Sequence, residues 1–114
     1  MNEIKLEELI EDYNFYKKNV VIALEELSNL FRNGKIEQAL NGVMNFSEGV
    51  NWLIKVHEYF VISNIQSTLD KDKIINMLNE INEALEEQDF FLTADIFEYD
   101  VKEFLKELKD VSQV

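Results

Sequence analysis

The first candidates for chemistry are Asp95 and Glu98, two carboxylates set among Phe91, Ala94, Ile96 and Phe97 in the segment LEEQDFFLTADIFEYDVKEFL, residues 85–105. Acids in so apolar a setting could be general acid–base catalysts, metal ligands, or the wet face of an ordinary helix. On a helix, Asp95 shares a row with Lys102, away from the apolar stripe. Glu98 shares a row with Phe91 and Leu105, further inward than a solvated acid prefers. The plain reading is a boundary carboxylate that reaches water or pairs with Lys102 at i+4. The sharper one is a half-buried Glu98 with a polar partner across the bundle, because an unpaired buried charge is expensive. The one histidine, His57, stands where Ile36, Val43 and Val50 precede it at seven-residue spacing, and it is the candidate for that partner.

Enzymatic constellations fail on inspection. A di-metal carboxylate bundle needs a Glu-x-x-His motif on each of two helices. This chain has one His, and Ile54 stands three residues before it. DKDKIINMLNE, from Asp70, opens with alternating acids but lacks the central glycine and the spacing of a calcium loop. No glycine-rich phosphate loop and no local signature of a Ser–His–Asp triad is present. The absence of cysteine excludes thiol catalysis, disulfides and cysteine-based zinc sites. The expectation is a non-enzymatic protein with no catalytic residue, no cofactor and no metal.

Charge narrows the partners. The formal net charge of −12 argues against nucleic acid, whose phosphates attract basic stripes, and against anionic membrane surfaces. Acids dominate the last third of the chain, and no Lys or Arg falls between Lys73 and Lys102. No run approaches 18 consecutive apolar residues, so no membrane span is expected. The charged, periodic start MNEIKLEELIEDY does not read as a secretory signal. With the lack of cysteine, this points to the cytoplasm. The bias toward Asn, Ile, Lys and Glu fits an AT-rich bacterial genome.

These side chains must be positioned by helices. Proline is absent and glycine occurs only at 34, 42 and 49, whereas strands and their turns usually demand more of both. Leu6, Tyr13, Val20 and Leu27 repeat every seven residues, which predicts a helix over 3–32 ended by Asn33-Gly34. A second helix is predicted from about 35 to about 68. Its interior Gly42 and Gly49 mark either a close helix approach or a bend near Ser47, with a break into two helices as the alternative. Ser67, Thr68 and Asp70 are N-cap candidates for a third helix over about 71–87, and Asp89 for a fourth over about 90–110. The 114 residues therefore read as one all-α domain, a mainly antiparallel four-helix bundle with two long and two shorter helices.

Most aromatics fall on the apolar stripes and belong to the core. Trp52 shares a row with Asn45 and Tyr59, off the main face, and Phe15, Tyr59, Tyr99 and Phe90 or Phe91 cannot all point inward. They either widen a covered face or form an exposed apolar patch rimmed by acids, the mark of a protein-binding surface. Trp52, Tyr59, Phe91, Asp95, Glu98 and Tyr99 are the candidate partner-binding residues. The partner is another protein, held by a helix-in-groove mode, or a second copy of the chain in a structural homodimer.

The segment ALEEQDFFLTADIFEYDVKEFL resembles the closing phrase of small uncharacterised helical proteins of Gram-positive bacteria, matching it at Ala84, Leu85, Asp89, Ala94, Asp95, Glu98 and Tyr99 and departing from it at Asp100. FRNGKIEQAL and EGVNWL fit the same likeness. In outline the chain also resembles flagellar export chaperones, small acidic cytoplasmic bundles that hold an unassembled filament or cap subunit. That resemblance rests on architecture and charge, implies a chaperone or adaptor role, and carries no catalytic residue over.

Overall fold

Helix α1 (Glu3–Arg32) packs against both the second and the last helix of the bundle, in a computed structural model that describes residues 3–113. Its buried side chains Ile10, Tyr13, Val20, Leu24, Leu27 and Phe31 form the expected stripe. Thirty residues at 1.5 Å each span about 45 Å, which matches the 46 Å long axis of the molecule.

Helix α2 (Ile36–Ile62) is continuous, so the alternative of a break near Ser47 is not realised. It runs antiparallel to α1: Gly42 lies against Leu27, while Gly49 and Trp52 lie against Tyr16. A Cβ at position 49 would run into the Tyr16 hydroxyl. Gly49 is therefore a close-approach glycine and not a bend. Helix α3 (Lys71–Glu86) begins at Asp70, whose Oδ1 accepts the Lys73 N–H at 3.1 Å. Asp89 does the same for Leu92 at 3.0 Å and opens α4 (Phe90–Asp95). A π-helical turn (Ile96–Val101) and α5 (Lys102–Glu107) continue α4 without leaving helical backbone angles, making a fourth helix over 90–107.

The fourth helix is antiparallel to α1, since Asp95 meets Arg32, Lys102 meets Glu25 and Asp110 meets Lys17. It also packs along α3, where the Lys73 ammonium sits 5.8 Å above the Phe104 ring. The result is an up-down-up-down bundle of four helices, as predicted. Its centre is aromatic. Phe31 stacks on Phe90 and Phe97, Phe46 meets Phe97 edge-on at 5.3 Å, and Tyr13 meets Phe60 edge-on at the same distance.

The three helix joints close alike. Gly34, Asn64 and Gln88 have φ of 74°, 60° and 56°. The next residue donates its N–H five residues back: Lys35 to Leu30, Ile65 to Phe60 and Asp89 to Ala84, at 2.8–2.9 Å. This is Schellman closure, which satisfies carbonyls left over at the helix end. Gly34 enters the left-handed region without strain, whereas Asn64 and Gln88 enter it carrying a Cβ.

Two boundaries differ from expectation. The second helix ends at Ile62 rather than near Thr68, and residues 63–70 cross irregularly to α3 with Leu69 buried. The fourth helix ends at Glu107 rather than near 110, because the Leu108 backbone turns extended (ψ 126°). Residues 108–113 then run as a strap along α1. The Asn14 side-chain amide donates to the Val111 carbonyl at 2.9 Å and accepts the Val111 N–H at 2.8 Å. Lys109 N–H donates to Thr68 Oγ1, while Leu108 and Val111 bury their side chains. Lys109 and Asp110 thus lie beyond the helix that was expected to include them.

Candidate functional site

The carboxylates that opened the question are bound to the chain's single arginine. Arg32, at the end of α1, spreads its guanidinium between them: Nη2 to Asp95 Oδ1 and Nη1 to Glu98 Oε2, both at 2.7 Å. Glu98 is 28% exposed and Asp95 57%, so Glu98 stands at the boundary as expected. The hydrogen bond that Arg32 donates to Asp95, followed by that to Glu98, holds the guanidinium pKa above its ordinary value. The predicted Glu98–Lys102 pair is not formed. Lys102 reaches across to Glu25 at 2.6 Å, and that bond raises the lysine pKa and lowers the carboxyl's.

His57 does not meet Glu98. Its Nδ1 lies 2.7 Å from Ser67 Oγ, and Ser67 also bonds the buried Tyr13 hydroxyl. Tyr13 and Arg32 are nineteen residues apart on one straight helix, about 28 Å. Burial lowers the imidazole pKa and raises that of the Tyr13 phenol. The relay ties the 63–70 crossing to the end of α2. Among the described residues no group of three His, Asp or Glu is placed to hold a metal ion.

The six candidate partner-binding residues divide. Trp52 and Tyr59, seven apart on α2, are half-buried, and Trp52 meets Tyr16 edge to face at 5.5 Å. Asp95 and Glu98 are gathered on Arg32. Phe91 is 70% exposed near the start of the fourth helix. Tyr99, also exposed, lines a different cleft, between the fourth helix and α3, with Asn76, Glu80, Asp100, Glu103 and Glu107.

A strongly apolar concavity follows the α1–α2 crossing. A groove of about 360 Å³ is lined by Tyr16, Val20, Ala23, Leu24, Leu27 and Leu30 from α1 and by Gly42, Asn45 and Phe46 from α2, with Asn19 and Glu26 also contributing. A recess of about 310 Å³ adjoins it at Tyr16, formed by Asp12, Phe15, Tyr16, Gly49 and Trp52. The two interior glycines keep the helices close by letting Leu27 and Tyr16 of α1 rest on the α2 backbone. The sequence signal for the groove was those glycines seven apart, together with Trp52 off the main face.

Sequence reasoning missed Lys17, which is 6% exposed, pairs with Asp110 at 2.6 Å and donates to the Leu108 carbonyl at 3.2 Å. Its signal was position: it stands between Ile10 and Leu24 in a buried seven-residue row. Ser28 and Thr93 are also buried. The Ser28 hydroxyl is in hydrogen-bond range of the Leu24 and Ala94 carbonyls, and Thr93 donates to the Asp89 carbonyl.

Fold and groove together define the class: an all-helical, antiparallel four-helix bundle whose first two helices cross closely around an apolar channel. Over residues 8–111 the chain matches the family described as a domain of unknown function (DUF8042), and it belongs to that family. No curated protein and no solved structure matches it.

Proposed function

We propose that this protein is a non-enzymatic binding module that captures an amphipathic, basic helix of a partner protein in the α1–α2 groove. The observation that carries this reading is the groove itself, apolar along its floor and bordered by Asp12 and Glu26. From Phe15 to Leu30 it runs about 22 Å, room for about four turns of a docked helix. A partner helix would lay an i, i+3/i+4, i+7 face on Leu27, Phe46 and Trp52. The charge of −12 favours a basic partner and speeds its approach. It also disfavours a second copy in the same groove, which would bring two strongly negative surfaces together. The resemblance to flagellar export chaperones extends this to a cytoplasmic bacterial chaperone or adaptor that shields a helix of an unassembled subunit.

Trp52 is the only tryptophan and borders the groove, so its fluorescence reports occupancy. Titration with a basic amphipathic peptide of about fifteen residues should shift its emission saturably, and less so at high salt. A peptide with the same apolar face and acidic flanks should not. Ala23→Lys, on an exposed groove wall, should abolish the response without unfolding the bundle. Equal binding of the acidic peptide, or an unaffected Ala23→Lys, would overturn the proposal.

A further inference from the structure

The recess at the Trp52 end of the groove has a composition unlike the rest. Three aromatic side chains, Phe15, Tyr16 and Trp52, share it with one carboxylate, Asp12, and with Gly49. Tyr16 and Trp52 stand at 68° to one another with centroids 5.5 Å apart, so they form a corner rather than a flat stack. Only a glycine at position 49 leaves room for the Tyr16 hydroxyl at that corner. Phe15 is 72% exposed and takes no part in the core. Asp12 is exposed and makes no ion pair among the described residues.

We infer that this recess is a receptor for an organic cation, namely the ammonium or guanidinium side chain of a lysine or arginine on the helix that occupies the groove. The inference rests on the helix-binding reading and adds where on that helix a positive charge must fall. The chemistry is direct. Aromatic faces carry negative quadrupole potential and attract a cation within about 6 Å, more strongly when it is partly stripped of water. A carboxylate at the mouth supplies a charged hydrogen-bond acceptor. The alkyl stem of the side chain would lie on the rings while its head reaches Asp12. A simple hydrophobic hole would need no Asp12, and a surface carboxylate would need no ring corner. Because the recess lies at the Phe15 end of a groove about 22 Å long, the required basic residue stands near one end of the docked segment.

The test uses small probes on the full chain, so that it does not depend on any peptide. Trp52 emission and calorimetry at low salt are followed with n-butylammonium, n-butylguanidinium and the uncharged isostere n-butanol. Both cations should bind saturably and at least about tenfold more tightly than n-butanol, the factor expected of about 1.4 kcal/mol. Asp12→Asn and Phe15→Ala, both at exposed positions, should each weaken the cations about fivefold or more. Asp12→Asn should leave n-butanol unaffected, and circular dichroism should show both variants folded. Equal binding of n-butanol, or cation binding indifferent to Asp12→Asn, overturns the cation receptor. Basic peptides that bind Asp12→Asn as well as wild type likewise overturn it while leaving the groove reading intact. Cations that bind with this pattern while no basic peptide does would sustain the receptor and bring down the helix-binding reading instead.

Discussion

Replacing Arg32 by Met removes the one cation that serves Asp95 and Glu98 together, and its effect can be worked out from the fork's geometry. Both bonds are 2.7 Å, but the two acceptors differ in exposure. Exposed ion pairs contribute about 0.2–1 kcal/mol, and the half-covered Glu98 belongs near the top of that range or slightly above it. Asp95, mostly in water, belongs near the bottom. Arg32→Met also leaves the two carboxylates three residues apart on one helix with only Lys102, itself bonded to Glu25, as a cation near Glu98, and it takes the net charge from −12 to −13. The expected loss is about 1–2 kcal/mol, a fall in melting temperature of several degrees for a domain of this size. Glu98→Gln should cost only about 0.5–1 kcal/mol, because it breaks one arm of the fork and relieves some repulsion. Asp95→Asn should be close to neutral. Arg32→Lys should fall between, since a point-charge ammonium cannot span both acids as a planar guanidinium does. Urea denaturation followed by circular dichroism gives each value, and repeating it at high salt should compress the series. An Arg32→Met variant within about 0.3 kcal/mol of wild type, well inside the usual range for surface changes, would show that the fork adds nothing. A Glu98→Gln loss equal to that of Arg32→Met would show that Asp95 is a bystander.

Three further outcomes follow from the same coordinates. Gly49→Ala should destabilise by about 1–3 kcal/mol through overpacking against Tyr16, and Tyr16→Phe in the same chain should recover part of the loss; full stability of Gly49→Ala in thermal melts would contradict the close approach. Gln88→Gly should stabilise by up to about 1 kcal/mol by relieving a left-handed backbone at φ 56°, so a lower urea midpoint would refute that strain. The His57 imidazole is held below its ordinary value of 6.5 by burial, with Glu58 opposing and Lys71 reinforcing the shift. The unfolded chain therefore binds this proton more readily than the folded one, and the stabilising contribution is full above pH 6.5 and is lost as pH falls toward the folded value. Urea midpoints between pH 8 and pH 5 should fall on the acid side, and His57→Gln should flatten that part of the curve; an identical slope in the variant would remove His57 as its source.

Local chemistry made much of the fold legible. Asp70 and Asp89 cap as their side chains dictate, Gly34 closes α1, and the paired glycines of α2 mark a close crossing. What failed was whatever the chain decides at a distance. Ile65 continues the apolar pattern, so the second helix read on past Ser63, yet Asn64 turns left-handed and the chain crosses toward α3. Leu108 and Val111 are buried as their spacing suggested, but an extended strap buries them and not a helix. The π-helical turn splits the row that Phe91, Glu98 and Leu105 share at seven-residue spacing. It shifts the helical phase, so Leu105 is buried while Phe91 stays exposed. Arg32 was legible as the only arginine, but its two partners lie 63 and 66 residues away, and no periodicity within either helix points across that gap. Of the groove and its recess, Trp52 was identified, while Phe15 was noted only as one of several aromatics that cannot all face inward.

The strap over 108–113 ties the order of folding to the order of synthesis. Asn14 and Lys17 leave the ribosome well before their partners, Val111 being 97 residues after Asn14 and Leu108 being 91 after Lys17. The α1–α2 hairpin needs only short-range encounters and can form while translation continues. The face of α1 that the fourth helix will cover must wait for partners 63 to 77 residues further along the chain, a separation that delays closure. Over that interval the nascent hairpin already holds the groove while its other face is still bare, so Lys17 becomes buried only when Leu108 and Asp110 arrive to cover and neutralise it.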